Sequence, residues 1–185
     1  MQRFGETLAL VVKRLGPLDV VLPAVPHLAA EIRARVANWP VQPQIVEGET
    51  ATYAAFRRGH AALAASGTVT LELALSGVPM VVAYRVDAFL RVLKPFLQAD
   101  SIVLPNLILG ERAIPEFLDG NASPERLAAA LLPLLADTPE RARQTAAFGR
   151  LEELMALDRG TPSGRAAEIV LAALRKRPAA IGGPA

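Results

Sequence analysis

Between Ser66 and Glu72 the sequence gathers residue types that can hold a phosphorylated ligand. The segment closes an apolar run, His60 to Ala65, and opens a helical one, Thr68 to Leu75, which Gly77 ends. Gly67 lets a ligand approach the backbone closely. The unpaired amides and the dipole of a helix start favour a phosphate, and Ser66, Thr68 and Thr70 add hydroxyl donors. Glu72 falls one turn beyond Thr68, on the same helix face. A carboxylate there is poorly placed to meet phosphate and well placed to accept both hydroxyls of a ribose. Together these suit a nucleoside diphosphate. An ordinary helix cap, with Thr68 capping and Glu72 solvated, fits the same spacing and is the commoner explanation of such a turn. Spacing alone leaves both open.

The elements that must position this turn alternate. Phe4, Leu8, Val11, Val12 and Leu15 recur at helical spacing, and Gly16-Pro17 stops that helix. Asp19 to Pro23 predicts a strand, and Pro26 opens a helix running to about Asn38. Gln44 to Val46 is a strand ended by Glu47-Gly48, and Thr50 caps a helix over Ala51 to Arg58. After the strand His60 to Ala65 and the helix Thr68 to Leu75 come a strand at Val78 to Tyr84, a helix at Ala88 to Leu97 and a strand at Ser101 to Leu104. Three helices follow, Pro124 to Leu135, Pro139 to Leu157 and Arg165 to Arg175.

Strands alternating with helices predict an α/β fold, a Rossmann-like doubly wound parallel sheet. One domain is expected over residues 1–177, with a disordered tail over 178–185. Ligands of such sheets sit at the carboxyl ends of the strands. The chain opens on a helix, whereas a doubly wound unit opens on a strand that is central in the order 3-2-1-4-5-6. The five expected strands are then numbers two to six, and a break is expected in mid-sheet, with edges prone to self-association.

Composition narrows the function classes. The chain has 185 residues, 52% of them apolar, and a net charge of +2, with a pI near 9.4. Arginines are interleaved with glutamates, so no nucleic-acid stripe is present and no nucleic-acid partner is expected. Cysteine is absent, which removes disulfides and thiolate metal sites. No apolar run approaches the roughly 20 residues of a membrane span, and the N-terminus makes a poor signal peptide. A cytoplasmic protein is the plain expectation. Arg175-Lys176-Arg177 reads as a solvated helix end favoured by the dipole, or as a contact with an anionic membrane surface.

The segments ASGTVTLELALSGVPMVVAYR, LPNLI, IPEFL and SPERLAAALLPLL, in this order, resemble the C-terminal domain of lipid-A-disaccharide synthases. The resemblance runs from Phe4 to about Leu174. More distantly, S-G-x-x-T-x-x-E is similar to the UDP-binding segment of the glycosyltransferase that builds the peptidoglycan lipid precursor. The resemblance implies half of a two-domain GT-B glycosyltransferase that uses neither metal nor cofactor. Such an enzyme transfers diacylglucosamine from UDP-2,3-diacylglucosamine to 2,3-diacylglucosamine 1-phosphate with inversion, in lipid A biosynthesis, and releases UDP. It implies that Ser66, Gly67, Thr68 and Thr70 form the diphosphate turn and that Glu72 meets the ribose. Asn106, in L-P-N, is implied near the sugar or diphosphate. The loop Val46-Glu47-Gly48 stands where such folds cap the base. Arg85, after Tyr84 at a strand end, can reach a phosphate or form a rim salt bridge.

Departures from the family pattern matter as well. Its Gly-Ser-Arg phosphate loop and its N-terminal acceptor domain, which supplies the general base, do not occur in this sequence. The catalytic residue is therefore unknown, and this chain alone is expected to be inactive. His60 stands where an acidic residue is usual, and Asp119-Gly120 where a Gln is. A nucleotide-sugar-binding module without turnover, or a related UDP-sugar enzyme with another acceptor, remain alternatives. His27 and His60 have no ligand pattern around them and are read as structural or surface residues. Phe89, Leu90, Val92, Leu93, Phe96 and Leu97 form an apolar helix with two readings, core packing or peripheral contact with acyl chains at the inner membrane.

Overall fold

The computed structural model describes residues 1–84, 101–157 and 160–175. Arg85, the helix expected over Ala88 to Leu97 and the tail expected over 178–185 lie outside the described residues. Two compact units divide the chain, Met1–Leu154 and Met155–Ala185.

The first unit opens with α1, Gln2–Leu15. Lys13 and Arg14 in its last turn complement the helix dipole, and Gly16 ends it at a φ of 91° that other residues rarely adopt. Strand β1, Val21–Ala24, leads through a 3-10 turn at Pro26–Leu28 into α2, Ala29–Val36. Strand β2, Gln44–Glu47, precedes α3, Glu49–Arg58. Strand β3, Ala62–Ala65, precedes α4, Val69–Leu75, and β4 is Met80–Tyr84. After the undescribed stretch come α5, Leu104–Leu109, and β5, Glu116–Leu118. A 3-10 turn follows at Asp119–Asn121. Helix α6, Pro124–Leu131, is capped by the Ser123 hydroxyl and runs into a 3-10 turn at Leu132–Leu135. Helix α7, Pro139–Gly149, is capped by Thr138, and α8, Leu151–Met155, completes the series.

Among the described residues all strand pairing is parallel. β1 pairs with β2, with Val21 opposite Gln44 and Ala24 opposite Glu47. β4 is central between β3 and β5, with Ala62 opposite Met80 and Val82 opposite Glu116. Among the described residues β1 and β3 each pair on one side only. The strands thus form two separate sheets, as a break between the strands expected as numbers two and four would produce.

β4 explains the core. Successive residues face opposite sides of a sheet, and Met80 and Val82 join Phe56, Leu73, Phe148 and Leu151 on one side. Val81 and Ala83 join Val11, Leu127, Leu131 and Leu134 on the other. A strand covered on both faces reads as a continuous apolar run, as MVVA does. α1 packs along α6, and the Arg3 guanidinium donates to the Asp119 carbonyl at 2.7 Å. Gly5 of α1 is buried against Trp39, so close that a Cβ there would lie 2.8 Å from the indole.

Three elements differ from expectation. Helix α3 starts at Glu49 with Gly48 as its N-cap, so Thr50 lies in its first turn and does not cap it. Ser101 to Leu104 forms no strand; Leu104 starts α5 instead, with Pro105 in its first turn. The fifth strand is β5. The long helix expected over Pro139 to Leu157 is interrupted at Arg150, after Gly149.

In the second unit, α9 spans Pro162–Arg175. The Thr161 hydroxyl accepts from the Gly164 amide at 3.1 Å near its start, and Ile169, Val170, Leu171 and Leu174 are exposed. Among the described residues no helix is long and apolar enough to cross a membrane.

Candidate functional site

The turn Ser66-Gly67-Thr68 sits at the carboxyl end of β3, where parallel sheets place their ligands. Its sequence makes it rigid from within. Thr70 is fully buried, and its hydroxyl donates to the Gly67 carbonyl at 2.7 Å. The Thr70 amide reaches the same oxygen at 3.2 Å. The Ser66 hydroxyl donates to the Ile102 carbonyl at 2.8 Å. Both hydroxyl hydrogens are thus spent on holding the turn, which leaves their oxygens as acceptors.

Gly67 and Thr68 face outward. A Cβ at Gly67 would meet nothing within 4 Å, so the space beside the turn is open. Thr68 is the N-cap of α4 but makes no side-chain capping bond. Among the described residues the amides of Gly67, Thr68 and Val69 have no acceptor, as expected of a helix start awaiting a partner. One turn on, Glu72 is half-buried.

Asn106 lies elsewhere in the chain but is tied to the same turn. It is 2% exposed, and its amide makes a reciprocal pair with Ile114: Nδ2 donates to the Ile114 carbonyl at 2.9 Å and Oδ1 accepts from the Ile114 amide at 2.9 Å. Nδ2 also donates to Oε1 of Glu116 at 2.7 Å. The same carboxylate accepts from the Ser101 hydroxyl and, through Oε2, from the Ile102 amide at 3.1 Å. Ser101 in turn accepts from the Val103 amide at 3.0 Å, which fixes the entry to α5. Glu116 and Ser101 did not stand out in the sequence. The available signal was a lone acid at the start of a short apolar segment, Glu116-Phe117-Leu118.

The other candidates are more dispersed. Val46 and Glu47 end β2, on the two-stranded sheet. Val46 lies opposite Pro23, and Glu47 pairs with Arg33 at 2.5 Å. His27 is exposed in its 3-10 turn, and His60 is exposed before β3, its carbonyl accepting from Arg141 at 2.6 Å. Among the described residues no three His, Asp or Glu side chains converge as a metal-ion cluster would need. A concavity of about 330 Å³ lined by Leu18, Asp19, Val21, Gln44 and Arg58 lies at the amino ends of β1 and β2, the wrong end for a ligand of a parallel sheet.

Parallel strands layered with helices, and turns gathered at their carboxyl ends, define a Rossmann-like α/β half-domain. A family model described as lipid-A-disaccharide synthetase matches residues 2–170. The chain belongs to that family. Lipid-A-disaccharide synthase of Rhodopseudomonas palustris (strain HaA2) is 50% identical over 177 residues, which cover 95% of this chain and 45% of that protein. The Nitrobacter hamburgensis protein of the same name is 51% identical over 174 residues, 92% of this chain and 43% of its own length. That of Paramagnetospirillum magneticum is 39% identical over 176 residues, 94% and 45%. The chain spans less than half the length of these curated relatives.

Proposed function

We propose that this chain is the nucleotide-sugar-binding part of a lipid-A-disaccharide synthase. In that reading the Ser66-Gly67-Thr68 turn receives the diphosphate of UDP-2,3-diacylglucosamine and Glu72 accepts the ribose hydroxyls. The single observation that carries it is the open turn of a family member: unpartnered amides at the carboxyl end of β3, with Glu72 one turn along α4. Amides without an acceptor suit developing negative charge on a leaving diphosphate. The Ser66 and Thr70 hydroxyls serve this turn from behind, by fixing its backbone, more than by touching phosphate. Thr68, free of a capping bond, is the hydroxyl left to donate.

The reaction is transfer of diacylglucosamine to 2,3-diacylglucosamine 1-phosphate with inversion and release of UDP. The general base and the acceptor site belong to the N-terminal part of the enzyme. Both substrates carry acyl chains, so the reaction belongs at the inner-membrane surface, on the cytoplasmic side. Asn106 acts near the sugar through the backbone it holds at Ile114. Val46 and Glu47 border the base, and Arg85 meets phosphate.

The test is calorimetry with UDP and 2′-deoxy-UDP. Glu72→Ala is expected to weaken UDP by about 1.5–3 kcal/mol, the range for a hydrogen bond to a charged group. It should leave 2′-deoxy-UDP, which lacks one of the two hydroxyls, much less affected. Equal losses for both ligands would sink the ribose assignment.

A further inference from the structure

We infer that Glu116 is a positioning residue for the candidate diphosphate turn, an inference that rests on the proposed nucleotide site. Glu116 starts β5 and lies opposite Val82 of the central strand, so its backbone is anchored in the sheet. Its half-buried carboxylate gathers donors from a different part of the chain. Oε1 takes the Ser101 hydroxyl and Asn106 Nδ2, and Oε2 takes the Ile102 amide at 3.1 Å. On the far side of that same residue, the Ile102 carbonyl accepts the Ser66 hydroxyl at 2.8 Å. A relay therefore runs from β5 through Ile102 to the first residue of the turn.

The chemistry explains why a carboxylate serves here. Its two oxygens accept only, and together present about four lone-pair sites. It can therefore hold a backbone amide on one oxygen and two side-chain donors on the other. An amide side chain at the same place keeps an acceptor for Ser101 and Asn106 but must turn a donor toward the Ile102 amide. Glu116→Gln thus opposes the one link that leads to Ser66 and spares the two that brace α5. The turn amides can meet a diphosphate only if the turn stays where Ile102 holds it, and small misplacements of such groups are costly.

Gln144 supplies the control. It is 3% exposed, accepts from the Met80 amide and donates to the Ala113 carbonyl at 3.3 Å. It braces the other end of β4 and makes no direct hydrogen bond to Ser66, Ile102 or Glu116. The experiment measures UDP dissociation constants and melting temperatures for the 185-residue chain and its Glu116→Gln, Glu116→Ala, Ser66→Ala, Glu116→Gln/Ser66→Ala and Gln144→Leu variants. Expected is a loss of UDP affinity of about tenfold, one hydrogen bond's worth, in Glu116→Gln. Ser66→Ala added to it should cost little more, because both break one relay. Gln144→Leu should melt at least as early yet bind UDP within about twofold of the wild type. Unchanged affinity in Glu116→Gln overturns the inference. So does an equal affinity loss in Gln144→Leu, or full additivity of the Ser66 and Glu116 changes. Should Glu116→Ala not fold, Glu116→Gln decides. Absence of UDP binding by the wild type is a different failure, and removes the proposed site itself.

Discussion

The strand Met80–Tyr84 and the strand Gln44–Glu47 are of similar length and both pair in parallel, yet their surroundings differ. Met80, Val81, Val82 and Ala83 are all buried, with α3, α4 and α7 contributing core residues on one side and α1 and α6 on the other. No residue of β2 is buried, and of β1 only Ala24 is. Neither core cluster contains a residue of the two-stranded sheet. Apolar area removed from water is the main favourable term in folding. The three-stranded sheet therefore carries most of the stability, and the β1–β2 pair is held chiefly by its own ladder and by the helices α2 and α3. The candidate turn stands at the end of the stable sheet, on β3. Val46 and Glu47 stand at the end of the weaker one. A rigid scaffold under the candidate diphosphate turn and a looser one under the proposed base-capping loop follow from burial.

The contrast is sharpest in the core. Leu127→Ala, on the α1–α6 side of β4, is expected to lower unfolding free energy by about 2–5 kcal/mol, read from urea denaturation. Ile45→Ala in the half-buried β2 should cost at most about 1 kcal/mol. Similar costs at the two positions would break the comparison.

Polar links give the next-largest difference. Gln144→Leu leaves the Met80 amide and the Ala113 carbonyl without their side-chain partner, at a cost of about 1–3 kcal/mol. Arg33→Ala removes the Arg33–Glu47 pair, whose side chains remain 56% and 35% exposed. Pairs of this kind contribute about 0–1 kcal/mol and are weakened by salt. Melts of both variants at low and high salt should show a salt-dependent deficit only for Arg33→Ala.

The smallest effect is at the first turn of α6. A backbone amide hydrogen bond, and secondarily the Ser123 side chain, hold the Glu125 carboxyl below its ordinary value. A folded value below the unfolded one gives stability that is present above the unfolded pKa. It is lost as pH falls through the folded one. Glu125→Gln should therefore remove a contribution near neutrality, small because the group is fully exposed. At pH below the folded pKa it should remove none, which flattens the acid limb of a stability–pH curve slightly. A larger change at acid pH than near neutrality would contradict this.

Much of this architecture was legible in the sequence, and the misses have physical causes. Period and punctuation located α1, the turn at Ser66 and the strand MVVAY, because Gly16, Gly67 and Gly77 sit where the chain must bend. The run SIVLPNLIL misled because a short apolar stretch fits a buried strand or a helix equally well. Pro105 was the signal for a helix start. β5 has only three residues, too few for alternation to show. Glu116 carries no local signal of its role, since its partners Ser101, Ile102 and Asn106 are brought to it only by the fold. Likewise the Arg141 bond to the His60 carbonyl joins residues 81 apart in sequence, beyond any local pattern. Type and spacing offer the hydroxyls of Ser66 and Thr70 as ligand donors. Their internal acceptors could be known only in three dimensions.

Gly5 against Trp39 has a spectroscopic consequence. Trp39 is the single tryptophan of the chain, so intrinsic emission has one source, and that source leans on α1 between α2 and β2. Its colour and intensity follow whether the indole stays on Gly5, whereas far-ultraviolet dichroism averages over every helix. Two-state unfolding requires the two signals to change together. If the region around β1 and β2 opens ahead of the β3–β4–β5 core, the indole will redden while most ellipticity is still in place. The chain thus carries a built-in optical reporter of its less-buried half.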